Sequence, residues 1–177
     1  MKKAGFGLIV VLTLLLCGCS RAEAAWETVD DAEIMAASGS WLDSAYTMVF
    51  SVPQDAVEDT TASGRDCTVY TQADGGYEIE RRTMLCADAD SAVRRLSGFA
   101  PEQLDVIETT RFGLPEYQFA WYSETDEGAR LYRADVLLDG TYAYALTFSV
   151  PESGGCQYDS TAQGVFATLG LYTDEGF

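Results

Sequence analysis

Twenty-eight carboxylic acids, five cysteines and no histidine set the chemistry open to this chain of 177 residues. Without histidine there is no Ser-His-Asp or Cys-His catalysis, and the commonest zinc ligand is missing. The only lysines are Lys2 and Lys3, so the rest of the chain offers no Schiff-base amine and no GxxxxGK phosphate loop. Carboxylate chemistry remains, because glycoside hydrolysis needs only two acids about the scissile bond. No pair stands out by spacing. Asp88-Ala89-Asp90 could open a calcium loop, but Ala92, Val93 and Phe99 stand where such a loop needs a ligand, a glycine and a glutamate. Asp88 fits a helix cap better. Glu124, Asp126 and Glu127, and Asp174 with Glu175, read as solvated turn and tail charge rather than a cation site. The expectation is a chain with no catalytic residue, no metal site and no cofactor, and not an enzyme.

The cysteine with a defined reaction ahead of it is Cys19. Lys2 and Lys3 precede an apolar run, LIVVLTLLL from Leu8 to Leu16, which is the charge and core of a signal peptide. The apolar stretch from Ala4 to Leu16 is 13 residues, against about 20 needed to cross the hydrocarbon. Leu16-Cys17-Gly18-Cys19 then resembles a lipobox: a branched apolar residue, two small ones and a cysteine. The resemblance implies a thioether-linked diacylglycerol on Cys19 and cleavage between Gly18 and Cys19. Cys17 departs from the usual alanine or serine but is small enough for the peptidase. The competing reading is an ordinary signal peptide cut between Ala22 and Ala25. The expected organisation is a signal peptide at 1–18, a lipidated cysteine and short linker at 19–25, and one globular domain at 26–177, anchored by lipid to the membrane and facing outside the cytoplasm. Six linker residues, Ser20 to Ala25, reach only about 20 Å when extended, so the domain stays close to that membrane.

Removing residues 1–18 leaves nine arginines against 28 acids, a net charge near −19. Such a chain is repelled by nucleic-acid phosphates and by anionic headgroups, so nucleic acid is not an expected partner. The full sequence, 47% hydrophobic and 12% aromatic, can still bury a core. The partners expected are the membrane, through the lipid, and a cell-envelope protein or a small ligand.

Period-two patterns dominate after the linker. Ala45 to Val52 reads as a strand ended by Pro53. Cys67 to Gln72 and Tyr77 to Leu85 flank a turn at Ala73-Asp74-Gly75-Gly76. Asp88 caps a helix carrying Val93, Leu96 and Phe99 or Ala100 on one stripe, with Gly98 near its end. Val106 to Phe112, Glu116 to Ser123, Arg130 to Leu138 and Thr141 to Val150 are four more strands. A closing helix from about Ser160 has Ala162, Val165, Phe166 and Leu169 at i, i+3, i+4 and i+7. From Trp26 to Asp31 the chain fits either an entry strand or a capped short helix. FSVP occurs at Phe50 to Pro53 and again at Phe148 to Pro151. Its surroundings do not repeat, and both copies read as strands stopped by proline.

The Asp139-Gly140 turn predicts a two-residue hairpin pairing Leu138 with Thr141, Asp135 with Tyr144, Arg133 with Leu146 and Leu137 with Tyr142. Tyr132, Ala134, Val136, Leu138, Ala143 and Ala145 share one face, whose small residues let a helix approach, and so read as core. Arg133, Asp135, Tyr142 and Tyr144 share the other, mixing charge with aromatic rings as binding surfaces do. That face is either a binding surface or a plain solvent face or second covered layer.

This order of elements, with LTFSVP from Leu146 to Pro151 running into a helix over Tyr158 to Leu171, resembles the PsbP/Mog1-like domain over residues 45–171. The resemblance implies an α+β fold, an α/β sandwich in which helices pack on an antiparallel sheet of six or seven strands. It implies no catalytic residues, since members serve as assembly factors or binding modules, and a shared fold does not transfer partners. The function expected is a non-catalytic binding or assembly module. The alternative is a carboxylate-dependent hydrolase of envelope glycans, which needs two carboxyls about 5–9.5 Å apart in a cleft.

Cys67, Cys86 and Cys156 remain, an odd number for an oxidising compartment. A turn centred on Asp74-Gly75 sets Cys67 opposite Arg82 and leaves Cys86 about 13 Å further along, beyond bridging range. A turn at Gly75-Gly76 would leave a borderline diagonal. No Cys67 to Cys86 disulfide is expected.

Overall fold

The structure, a computed structural model, describes residues 25–30, 45–64, 66–126 and 128–173. Gly18, Cys19, the signal segment and the linker as far as residue 24 lie outside the described residues, as do Glu127, Asp174 and Glu175. In chain order the elements are β1 (Trp26–Asp30), β2 (Thr47–Pro53), β3 (Ala56–Glu58), β4 (Cys67–Gln72), β5 (Glu78–Leu85) and α1 (Ala89–Ser97). Then follow β6 (Ile107–Arg111), β7 (Leu114–Thr125), β8 (Gly128–Leu138), β9 (Tyr142–Pro151), α2 (Asp159–Ala167) and β10 (Gly170–Tyr172). Seven antiparallel strands form the middle layer in the order β3-β4-β5-β9-β8-β7-β6. A second, three-stranded antiparallel sheet, β1-β2-β10, lies beside α2. The entry segment from Trp26 is therefore a strand.

Strand β9 shows why the layers stack this way. Tyr144, Leu146, Phe148 and Val150 project to one face, and Ala143, Ala145, Thr147 and Ser149 to the other, and all eight are buried. The large face meets Met48, Phe50 and Val52 of β2 with Ala162 and Val165 of α2. The small face lies under α1, where Ala92 and Val93 pack with Met84, Phe119, Trp121 and Val136. Each fully buried Phe, Leu, Ile or Val contributes about 1.5–3 kcal/mol by leaving water.

Local signals set the element ends. Asp88 accepts a 2.8 Å hydrogen bond from the Ser91 N–H, and Gly98 closes α1 in the left-handed conformation at φ 78°. The Ser91 backbone bond holds the Asp88 carboxyl below its ordinary range. This aspartate is a cap.

The β4–β5 register places Cys67 opposite Arg82, as the Asp74-Gly75 turn requires. Cys67, Cys86 and Cys156 are free thiols. Cys86 is buried, and its Sγ lies 3.3 Å from the Asp88 carbonyl oxygen.

The β8–β9 hairpin departs from expectation by two residues. Leu138 pairs with Ala143, Leu137 with Tyr144, Asp135 with Leu146 and Arg133 with Phe148. The Asp139 carboxylate accepts the N–H groups of Thr141 (2.7 Å) and Tyr142 (2.6 Å), and the Asp139 N–H reaches the Tyr142 carbonyl. The turn therefore centres on Gly140-Thr141, with Gly140 at φ 90°. Moving a turn by one residue moves the pairing by two, so every side chain keeps its face.

Candidate cleft between helix α2 and the sheet edge

Arg111, the last residue of β6, gathers four groups. Its Nη2 lies 2.6 Å from Glu116 Oε1 on β7 and 2.9 Å from Asp135 Oδ2 on β8. Its Nη1 donates to the carbonyl oxygens of Phe166 (2.9 Å) and Leu169 (3.3 Å), where α2 ends. Carbonyls at a helix C-terminus lack intrahelical donors, and a guanidinium supplies them together with a favourable charge. Gln118 Nε2 lies 3.3 Å from Glu116 Oε1 and 3.4 Å from Asp135 Oδ2. Asp135 is 1% exposed, and its Oδ1 has no hydrogen-bond partner among the described residues. One cation thus serves two buried acids. Burial, aided by the neighbouring Glu116 charge and opposed by Arg111, pushes the Asp135 carboxyl up to about 7.

Beside this cluster is an open cleft of about 500 Å³ between α2 and strands β6, β7 and β8. Ile107, Ala120, Phe166 and Ala167 give it apolar walls, and Gln118, Arg133, Asp135, Gln163 and Asp105 give it polar points. Arg133 pairs with Asp159 at the start of α2, so the helix is tied to the sheet at both ends. The volume falls within the range of small-ligand and peptide pockets.

The four residues expected to share a binding face share its parity but not an open surface. Tyr144 is fully buried in the core and donates its hydroxyl to Asp139 at 2.7 Å. Tyr142 is half-buried and lines a smaller hollow of about 310 Å³ with Tyr46, Leu114 and Asp139. Arg133 and Asp135 line the larger cleft. The covering layer of β2 and α2 accounts for the difference: it buries Tyr144 and leaves Arg133 and Asp135 at the cleft. The predicted core face is core: Ala134, Val136, Leu138, Ala143 and Ala145 are all buried.

Sequence reasoning did not single out Arg111, Glu116 and Gln118. The signal was the two-residue turn Phe112-Gly113, which pairs Arg111 with Leu114 and so Thr109 with Glu116 and Ile107 with Gln118, all on the cleft side. Among the described residues no group of three or more acids and cysteines is placed to hold a metal ion.

No family model and no curated protein matches the sequence. Solved structures do. The chain is similar to the cyanobacterial PsbP (CyanoP) of Synechocystis, at a TM-score of 0.55 and 13% identity over 89% of this chain and 99% of that one. The fold is PsbP-like. A protein of Bacteroides thetaiotaomicron superposes with a TM-score of 0.51 at 13% identity over 72% of this chain, which spans 46% of its length. LpqN of Mycobacterium tuberculosis, described as involved in cell envelope biogenesis, gives a TM-score of 0.42 at 12% identity over 82% of this chain and 91% of that one. At such identities the first two likenesses are of fold alone. No described helix is long and apolar enough to cross a membrane.

Proposed function

We propose that this chain is a membrane-anchored extracytoplasmic lipoprotein, held by diacylglycerol on Cys19, that works as a non-catalytic binding or assembly module through the α2 cleft. The observation that carries the binding role is the cleft itself: about 500 Å³, with apolar walls and a few polar points, beside a helix pinned at both ends. The anchor rests on the lipobox-like Leu16 to Cys19 and the short apolar run before it.

The carboxylate-hydrolase alternative gains little from Glu116 and Asp135. Both bind the same guanidinium nitrogen, both are buried, and Glu116 does not line the cleft. Two buried acids held on one guanidinium nitrogen, only one of them on the cleft, are not placed to flank a glycosidic bond.

Two measurements test the proposal. Cys19→Ala should move the protein out of the membrane fraction and abolish labelling by a fatty-acid analogue; unchanged retention would refute the anchor. A photoreactive residue at Ala120, on the cleft wall, should give a discrete crosslinked adduct in intact cells, while one at Val57 on the opposite sheet edge should not. Absence of an adduct at Ala120, or an identical pattern from both sites, would refute binding in the cleft.

A further inference from the structure

We propose that β6 is a docking edge to which an extended basic peptide of another protein adds as an eighth strand, seating its alternate apolar side chains in the α2 cleft. The inference rests on the cleft being a binding site and names the class of partner.

Strand β6 ends the seven-stranded sheet. It pairs with β7 continuously from Ile107 to Arg111, with no bulge or proline to blunt it, whereas the opposite edge, β3, has three residues. The two-residue Phe112-Gly113 turn makes Arg111, Thr109 and Ile107 the hydrogen-bonded partners of β7. Glu108 and Thr110 therefore turn their N–H and C=O groups away from the sheet. Ile107 stands on the cleft side, 62% exposed, and lines the cleft. A strand added about 4.8 Å beyond it would carry alternate side chains over the cleft mouth.

Phe112 supplies an independent sign. It is the one non-glycine with positive φ among the described residues, at 54°, and it is 61% exposed. A left-handed conformation is strained for an ordinary L-residue, and asparagine or glycine is preferred there. A ring this exposed recovers little of this by internal packing. Contact with a partner lying along the end of β6 would recover it.

Charge decides which chain fits. Asp105 and Glu108 are exposed at this edge, and Asp90 lies near it: burial first, then the Glu108 and Asp90 charges, raise the Tyr117 phenol. None of the three has a salt bridge among the described residues. Nearby Arg111 and Arg133 are engaged by Glu116, Asp135 and Asp159. A second copy of this acidic chain would be repelled, and a basic strand attracted.

The test uses the full-length protein in non-ionic detergent and a fluorescent peptide of about six residues, an ordinary strand length, alternating arginine with valine or leucine. Anisotropy should show saturable binding, and none to the same peptide with glutamate for arginine. Thr110→Pro, which removes an outward N–H, and Ala120→Trp, which fills the cleft, should each weaken binding about tenfold or more. Phe112→Asn should weaken binding while raising Tm, opposite effects that a purely structural residue would not produce. Amide exchange at Glu108 and Thr110 should slow on binding. No binding, or binding with unchanged exchange at these amides and undiminished by Phe112→Asn, overturns strand addition. Loss only in Ala120→Trp also overturns it but leaves the cleft reading standing, whereas the crosslinking at Ala120 tests the cleft without reference to this peptide.

Discussion

Asp135 and Glu116 share one guanidinium, so a proton is the further charge that makes their buried cluster neutral. The Asp135 carboxyl titrates near 3.8 when solvated and is raised to about 7 in the fold, chiefly by burial. The folded protein therefore holds this proton more tightly than the unfolded chain. Its contribution to stability is full below about pH 4, falls as pH rises, and is lost above about pH 7. Asp135→Asn mimics the protonated acid, and at low pH it should melt with the wild type. Its Tm should gain on the wild type steadily between those two values and then hold a constant lead. A Tm difference that does not change with pH would show that Asp135 stays ionised in the fold. Arg133 and Asp135 could be read from the sequence as one charged, inward-or-outward face, because parity depends only on the strand. Which way that face looked could not, because the covering layer comes from β2 and α2, at distant places in the chain. For the same reason nothing marked Arg111: its partners come from β7, β8 and the end of α2.

Strands and helices were legible where a local rule fixes them. Asp88 and Gly98 bracket α1 as caps do, and the alternation of large and small residues in β9 matches its two packed faces. Two readings failed: the Asp139 carboxylate competes for the backbone N–H groups of Thr141 and Tyr142 and carries that turn one residue on, and the closing helix stops at Ala167, so Leu169 follows it and Leu171 lies in β10. Two three-residue strands, β3 and β10, were too short to show a period. The separation of β1, β2 and β10 into a second sheet is a matter of non-local pairing. Tertiary demand also hides in Gly76, which sits in the β4–β5 turn. A Cβ there would collide with the Tyr158 hydroxyl and with Gln72 Oε1, which that hydroxyl approaches at 3.1 Å. Tyr158 also lies edge-on to Tyr77, so the turn docks directly on the residue before α2. Gly76→Ala should cost about 1–3 kcal/mol by overpacking, measured by chemical denaturation. Much of that loss should vanish in a Tyr158→Ala background, where the obstacle is gone; equal losses in both backgrounds would place the cost in the turn itself.

At the scale of the molecule, a PsbP-like fold accounts for the layers but assigns no partner, and charge is the property that most constrains what the domain meets. Nine arginines face 28 acids once the first eighteen residues are removed. Several of those arginines are already paired, as Arg82 is with Glu80, Arg94 with Glu102, Arg111 with Glu116 and Asp135, and Arg133 with Asp159. The unpaired acids repel one another, and the compact state holds them closer than the unfolded chain does. Salt acts on both terms. It weakens the exposed pairs, each worth about 0–1 kcal/mol, and it screens the repulsion over a Debye length of about 10 Å at 0.1 M. Acids outnumber arginines about threefold, so relief of repulsion should win. Sodium chloride, which alters apolar burial less than sulfate does, should raise Tm at neutral pH, with the rise levelling off once the Debye length falls below the spacing of surface charges. The rise should shrink toward pH 4, where the carboxylates themselves begin to discharge. A Tm that falls with salt at neutral pH would show that the arginine pairs outweigh the repulsion. The negative field invoked for the β6 edge would then be local rather than a property of the whole surface.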